Sequence, residues 1–165
     1  MGRKSRTKGA AAEREVVSLL RPVWPAVARE LEQVRTSCGR DLSGTAPFAV
    51  QIKRRANITP AVIGSAIREA GRECSSDGPY RCPVAFYRSD RQPWRVAMYL
   101  KDLAEMFGGV VNGNGTFMDC STLIVHMLAE SWRDIAASWR AVSQEGDIND
   151  SRRLNEHAQP GARHL

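Results

Sequence analysis

The sequence of 165 residues is poor in cysteine, histidine and aromatic residues, and it has no long apolar run. Its four cysteines form no Cys-x-x-Cys pair and no zinc-finger spacing with histidine, which favours reduced thiols in a cytoplasmic protein. No apolar run approaches the ~20 residues that span a bilayer, so no transmembrane helix is expected. A membrane partner is not expected either, because the sequence has no long amphipathic helix with a Lys/Arg face opposite a Trp/Phe/Leu face. The basic segment 1–8 precedes no apolar core, so a secretory signal is not expected either.

Positive charge is concentrated in the first two thirds of the chain. Residues 1–107 carry 19 Lys and Arg against 11 Asp and Glu, whereas residues 108–165 carry 5 against 7, and the net charge is +6. A basic body of this kind is typical of proteins with a polyanionic partner, and nucleic acid is the most common polyanion. A surface that is basic only for solubility is the alternative that charge alone leaves open.

Hydrophobic periodicity predicts alternating helices and strands. The predicted helices are 9–21, one that begins at Thr59-Pro60, 101–107 and 121–142, and the predicted strands are 34–37, 48–53, 83–87 and 95–100. An Asn-Gly hairpin signal lies within 108–117. This order predicts an α/β or α+β domain with a mixed sheet.

The same patterns divide the chain into four segments. We expect a flexible basic arm over 1–8, a main domain over 9–107, a C-terminal hairpin and helix extension over 108–143, and a polar, loose tail over 144–165. Trp132 and Trp139 lie seven residues apart on the last predicted helix, so they share a side. They either contact a second chain or pack on their own domain.

Four polar residues in the first third of the chain suggest chemistry. Glu13 lies in the apolar stripe of the first helix, where a carboxylate is costly unless it is paired or binds a cation. Asp41 follows a strand-like segment, and Gln51 and Lys53 share one face of the strand 48–53, about 7 Å apart. Carboxylates are ligands that Mg²⁺ prefers, and a nearby lysine can stabilise charge on a phosphate. Together they predict metal-assisted phosphodiester hydrolysis.

Each of these residues also has a structural interpretation when taken alone. Glu13 can be a buried salt-bridge partner, with Lys53 as the candidate cation. Asp41 can be a turn residue beside the glycines of the segment 39–45. The functional interpretation therefore depends on the order and spacing of all four.

The segment 8–21, KGAAAEREVVSLLR, resembles the opening helix of the archaeal-type Holliday junction resolvases, which belong to the PD-(D/E)xK nuclease superfamily. That helix carries a metal-site Glu, which Glu13 matches. The family's next Asp matches Asp41, and its (D/E)-x-K motif matches Gln51-Ile52-Lys53. The stretches 48–55 and 87–94 also resemble small resolvase-like nucleases encoded by bacteriophages. The resemblance covers residues 8–107.

This resemblance implies an α/β fold of the restriction-endonuclease-like kind, with a mixed central sheet flanked by helices, followed here by the extra C-terminal hairpin and helix. It implies a Mg²⁺-dependent endonuclease, with Mn²⁺ able to substitute, that acts on branched or double-stranded DNA as a homodimer. The implied metal ligands are Glu13, Asp41, Gln51 and the backbone carbonyl of Ile52. Lys53 would orient the nucleophile and stabilise the transition state, so the implied catalytic residues are Glu13, Asp41, Gln51 and Lys53.

Two positions depart from the family's pattern. The proline that usually precedes the first Asp is absent, and Gln51 stands where an acid is expected. An amide oxygen can ligate Mg²⁺ but brings no charge, so weaker metal affinity is predicted. The open alternatives are a catalytically weakened or inactive nuclease-fold DNA-binding protein, another nuclease of the superfamily, and an unrelated small α/β enzyme.

Basic residues outside the motif are predicted to contact the DNA backbone, which would make affinity fall steeply with salt. They lie in the N-terminal arm, directly after Lys53, and in the loop around Trp94: Arg3, Lys4, Arg6, Lys8, Arg54, Arg55, Arg88 and Arg91. Trp94 either stacks on an unpaired base or covers the edge of the core, and the second arrangement is favoured.

Overall fold

The protein is described by a computed structural model over residues 3–30, 40–72, 74, 78–79, 82–106 and 123–141. The elements in chain order are α1 (Arg3–Leu20), β1 (Ala28–Arg29), β2 (Leu42–Ser43), β3 (Phe48–Arg55), α2 (Pro60–Gly71), β4 (Cys82–Ser89), β5 (Arg95–Tyr99), α3 (Leu100–Met106), β6 (Ile124–Leu128) and α4 (129–141). The predicted strand 34–37, the hairpin in 108–117 and the tail 144–165 lie outside the described residues.

Four of the strands form a mixed sheet in the order β3-β4-β5-β6. β3 and β4 are parallel, and α2 lies between them in the chain, while β4, β5 and β6 pair in antiparallel fashion. Among the described strands, β3 therefore lies at an edge of this sheet, and the two-residue strands β1 and β2 form a separate antiparallel ribbon. The predicted α/β class and the mixed sheet flanked by helices are confirmed.

The two faces of β3 pack against different helices. Phe48, Val50 and Ile52 point into the larger core, together with apolar residues of α1 and α4. The alternate positions, which include Gln51 and Lys53, point to the side where the apolar stripe of α2 packs on β4 and β5. The alternation predicted for 48–53 is confirmed, and it decides which polar residues share a face.

The first helix, α1, begins at Arg3, six residues earlier than predicted. The backbone of residues 3–8, the segment expected as a basic arm, forms the first turns of α1. Gly9 does not break the helix, because it is followed by strong helix formers and one glycine costs only about 1 kcal/mol relative to alanine. α1 ends at Leu20, close to the predicted end before Pro22.

The predicted helix 121–142 is wrong in its first part, where the chain forms β6 and only then enters α4. Ile124 and Leu128 fit both a four-residue helical step and a two-residue alternation, so periodicity did not separate the two. Ile124 and Val125 are β-branched, which favours the extended form once β5 offers an edge to pair with. Within the described part of the segment expected as an extension, β6 is thus a strand of the central sheet.

Trp132 lies at the centre of the larger core and is fully buried. Its ring centroid is 5.0 Å from that of Phe48, 5.2 Å from that of Phe86 and 5.8 Å from that of Trp24. Trp139 is half-buried and also contacts Phe48, at 5.8 Å. The interpretation of Trp132 as a contact between chains is therefore wrong, because this side chain is enclosed in its own domain.

Within the described helices, none is both long enough and apolar enough to cross a membrane. Cys74 and Cys82, the two cysteines in the described ranges, carry thiols and are not part of a disulfide.

Candidate functional site

Asp41 lies against the outer edge of β3, opposite the edge that pairs with β4. Its backbone N–H donates to the carbonyl of Val50 at 2.7 Å, and its Oδ2 accepts from the backbone N–H of Ile52 at 2.5 Å. The residue is only 8% exposed. In an extended strand the N–H and C=O of one residue point to the same edge, so the carbonyl of Ile52 also points to this edge. The carboxylate and the carbonyl predicted as metal ligands therefore belong to one strand edge.

The β1–β2 ribbon fixes the position of Asp41. The N–H of Glu30 donates to the carbonyl of Asp41 at 2.9 Å, and Arg29 pairs with Leu42, the next residue along. The chain then turns at Gly44, whose φ of 71° is in the left-handed region. A side chain at this position would collide with the backbone carbonyl of Ala26, so the turn requires glycine.

Gln51 and Lys53 share the α2 side of β3, as the strand alternation predicted. Gln51 is 7% exposed and lies opposite Ala85 of β4. Burying a neutral amide here costs less than burying a carboxylate, which gives a physical reason for the departure from the acid of the motif. The Nζ of Lys53 lies 2.5 Å from Oε2 of Glu69 on α2.

Glu69 is a charged residue at the site that the motif did not include. Its Oε1 accepts a hydrogen bond from the hydroxyl of Ser65 at 3.1 Å. Burial raises the pKa of Glu69, but the hydrogen bond and charge of Lys53, helped by Ser65, outweigh burial and hold the pKa below its ordinary value. These three residues and Arg55 border a cleft of about 230 Å³ between β3 and α2. The four-residue spacing of Ser65 and Glu69 was the available sequence signal.

Glu13 is held by an arginine rather than by a lysine. Its Oε2 lies 2.6 Å from both Nε and Nη2 of Arg29, and the carboxylate is 20% exposed. The alternative that paired Glu13 with Lys53 is wrong, because Lys53 pairs with Glu69. Since Arg29 stands opposite Leu42 in the ribbon, Glu13 and Asp41 approach the same two-stranded ribbon from different elements.

In the residues that the structure describes, no group of three or more His, Cys, Asp or Glu side chains is arranged to hold a metal ion. The predicted ligand set differs from such a group, because it has only two carboxylates and is completed by one amide and one backbone carbonyl. All of these are hard oxygen donors of the kind that Mg²⁺ takes, so the donor chemistry fits. The structure brings Asp41 and the carbonyl of Ile52 to one strand edge, but it does not bring all four groups together. Gln51 points to the α2 side of β3, whereas α1, which carries Glu13, packs on the opposite side. Glu13 would also have to exchange Arg29 for the ion.

A second charged group, here named the Glu15 cluster, joins α1 to the ends of β3 and β4. Its members are Lys8, Glu15, Arg54, Arg88, Asp90 and Trp94. Glu15 binds Arg88 at 2.6 Å and Arg54 at 3.1 Å, and Lys8 binds Asp90 at 2.7 Å. The hydrogen bond from Lys8, opposed only in part by burial, lowers the pKa of Asp90. Three of the predicted DNA contacts therefore already have carboxylate partners.

Trp94 belongs to this cluster and not to an exposed stacking surface. It is 7% exposed, its Nε1 donates to Glu15 at 3.1 Å, and the guanidinium of Arg88 lies 4.7 Å from its ring centroid. The favoured interpretation of Trp94 as a residue at the core edge is confirmed. Among the other predicted contacts, Arg55 and Arg91 are exposed. Those at positions 3, 4 and 6 have side chains outside the described set.

Comparison of the chain with protein-family models, with curated proteins and with solved structures finds no match.

Proposed function

We propose that this chain is a metal-dependent DNA endonuclease of restriction-endonuclease-like fold, which hydrolyses phosphodiester bonds in branched DNA such as four-way junctions. The proposal combines the resemblance of residues 8–107 with the basic charge of the same region. It includes a homodimer, since two symmetric cuts in a junction need two active sites.

One observation carries the proposal. Asp41 and the Gln51-Ile52-Lys53 motif are ten residues apart in the sequence, and the hydrogen bond from Ile52 to the carboxylate of Asp41 ties them together. The Asp41 side chain is 8% exposed and lies against the strand that carries the motif, and this placement supports a role beyond that of a turn residue.

The residues have separate roles in this proposal. Asp41, the carbonyl of Ile52, Gln51 and Glu13 would hold Mg²⁺, and the ion would supply an activated water and offset the charge of the phosphate. Lys53 places a positive charge beside the reacting phosphate and orients the attacking water. Glu69 acts as a positioning residue, because its ion pair limits the conformations that the Lys53 side chain can adopt.

The test is cleavage of a four-way DNA junction by the purified chain in Mg²⁺ or Mn²⁺, with linear and flap DNA in parallel. Asp41→Asn and Lys53→Ala are expected to lower the cleavage rate at least about 100-fold while leaving binding largely intact. Asn keeps an oxygen that can accept the hydrogen bond from Ile52, so the fold is preserved. The cleavage rate is measured on gels from labelled strands.

Matched controls remove the same chemical groups from exposed positions. Asp134→Asn and Lys101→Ala change side chains that are 69% and 49% exposed, and both variants are expected to cut like the wild type. Undiminished cutting by Asp41→Asn and by Lys53→Ala refutes the site. Preference for linear or flap DNA over the junction favours a different nuclease of the superfamily.

A catalytically weakened or inactive DNA-binding protein is the second candidate, and the buried amide of Gln51 favours it. A binding protein of this kind holds the junction without cutting it in either metal ion. Cleavage of any branched DNA that depends on the metal and on Asp41 excludes it. An unrelated α/β enzyme neither binds nor cuts the junction.

A further inference from the structure

A basic groove runs between α1 and β1, on a part of the surface that the sequence motifs did not indicate. It has a volume of about 450 Å³ and is lined by Arg14, Val17, Ser18, Arg21, Ala28 and Arg29. Arg14, Ser18 and Arg21 follow one another at four- and three-residue steps, which places them on one stripe. Arg21 directly follows the last residue of α1 and continues its hydrogen bonding, since its N–H donates to the carbonyl of Val17 at 2.9 Å. All three side chains are exposed to solvent.

The arginines of this groove differ from those of the Glu15 cluster in their partners. Arg88 is paired with Glu15, and Arg54 is paired with Glu15 and with Asp90, whereas the ion pairs among the described residues leave the guanidinium groups of Arg14 and Arg21 unpaired. Arg29 alone has a carboxylate partner, Glu13. The groove therefore carries three guanidinium groups against one carboxylate, and its excess charge faces solvent.

The dimensions of the stripe fit several phosphates better than one. Arg14 and Arg21 are seven residues apart, which is about 10 Å along a helix. One DNA strand places a phosphate every 3.4 Å along the duplex axis, so this length corresponds to roughly three successive phosphates. A hydroxyl such as that of Ser18 is a common additional donor to phosphate oxygens.

We infer that the groove between α1 and β1 binds the phosphodiester backbone of DNA, with Arg14 and Arg21 as the principal contacts. The inference rests on the proposed function in taking DNA as the polyanion. It adds the path of the strand, because Arg29 connects the groove to Glu13 and thereby to the metal-site side of α1. The DNA then lies along α1 and not over the Glu15 cluster, where every cation already has a carboxylate partner.

The test compares two double variants of the full chain that lose the same charge. Arg14→Ala/Arg21→Ala removes the groove contacts, and Arg68→Ala/Arg133→Ala removes two arginines from α2 and α4. Binding to a fluorescent four-way junction is measured by anisotropy in EDTA over a series of NaCl concentrations, so that cleavage plays no part. Circular dichroism of each variant verifies that the fold is retained.

The groove variant is expected to bind about tenfold more weakly, and its slope of log K against log salt should fall by about 2 relative to the wild type. The control variant should keep the wild-type slope and stay within about twofold in affinity. Equal losses in the two variants overturn the inference and leave the nuclease proposal standing. If the groove variant alone loses affinity but the wild type never cuts, the groove stands and the nuclease proposal fails. A wild-type chain that binds no DNA overturns both.

Discussion

Lys53 and Glu69 form an ion pair that holds the lysine side chain of the proposed site in position. Both side chains are partly buried, with 20% and 31% of their surface exposed. An ion pair of this kind contributes about 1 kcal/mol, more than most pairs that are fully exposed. Its contribution requires Glu69 to be ionised, so it can be separated from packing by changing the pH.

Glu69→Gln is expected to lower the free energy of unfolding by about 1 kcal/mol at pH 7. Because the pKa of Glu69 is lowered in the folded protein, the stabilisation is complete above the ordinary value of 4.5 and is lost as the pH falls through the folded value. The wild type and the variant should therefore converge in acid. Urea unfolding at a series of pH values measures this difference.

The control for this prediction is Glu130→Gln, which changes an exposed carboxylate on α4 and should not alter stability at any pH in the series. A stability deficit of Glu69→Gln that persists unchanged to about pH 3 would show that the loss comes from packing and not from the charge.

At the scale of elements, the two-residue strands β1 and β2 are too short to be stable alone, yet they hold Asp41 against β3. Directly after β2 the chain makes the left-handed turn at Gly44, which lies against the backbone of Ala26, two residues before β1. The geometry of the ribbon therefore depends on one glycine more than on its few strand hydrogen bonds.

Gly44→Ala is expected to reduce the free energy of unfolding by about 2 kcal/mol or more, because a methyl group meets backbone atoms and φ is unfavourable. Gly9→Ala is the matched control, since no atom lies within 4 Å of a methyl group there. In the interior of α1 that change should stabilise by about 0.5–1 kcal/mol. Chemical denaturation measures both, and a Gly44→Ala variant as stable as the wild type contradicts the observed turn.

At the scale of the whole molecule, the C-terminal elements complete the domain that the first 107 residues begin. β6 adds the fourth strand, and α4 places Trp132 among Phe48, Phe86 and Trp24. A chain that ended at residue 107 would leave these three aromatic rings without their common neighbour, at a cost that a domain of this size rarely tolerates.

Trp132→Ala is expected to destabilise the whole protein by about 3–5 kcal/mol, since it opens a cavity between α4 and the aromatic rings contributed by the first 107 residues. Leu123→Ala, at a position that is 47% exposed, should change stability by less than about 0.5 kcal/mol. A single cooperative transition in both variants is expected by urea denaturation. A separate transition for the last helix, with residues 1–107 unaffected, would contradict a common core.

The sequence predicted secondary structure correctly where its local pattern was compatible with only one type of element. The alternation over 48–53 predicted β3 and the shared face of Gln51 and Lys53, and Thr59-Pro60 predicted the start of α2 correctly. The strands 83–87 and 95–100 were likewise predicted close to the observed bounds of β4 and β5. In these segments the hydrophobic periodicity and the flanking turn residues predict the same secondary structure, so tertiary contacts did not have to choose between a helix and a strand.

Only the tertiary structure decided how charges pair and where ambiguous segments fold. Glu13 pairs with Arg29, Lys53 pairs with Glu69, and Glu15 pairs with two arginines. These partners depend on distances in the folded structure, which cannot be derived from separation along the sequence. The residues of β6 became a strand because β5 offered an edge to them. The sequence by itself determined the α/β class, the alternating faces of β3 and the basic character of the chain, since these follow from period and composition. The pairing of each charge followed from packing.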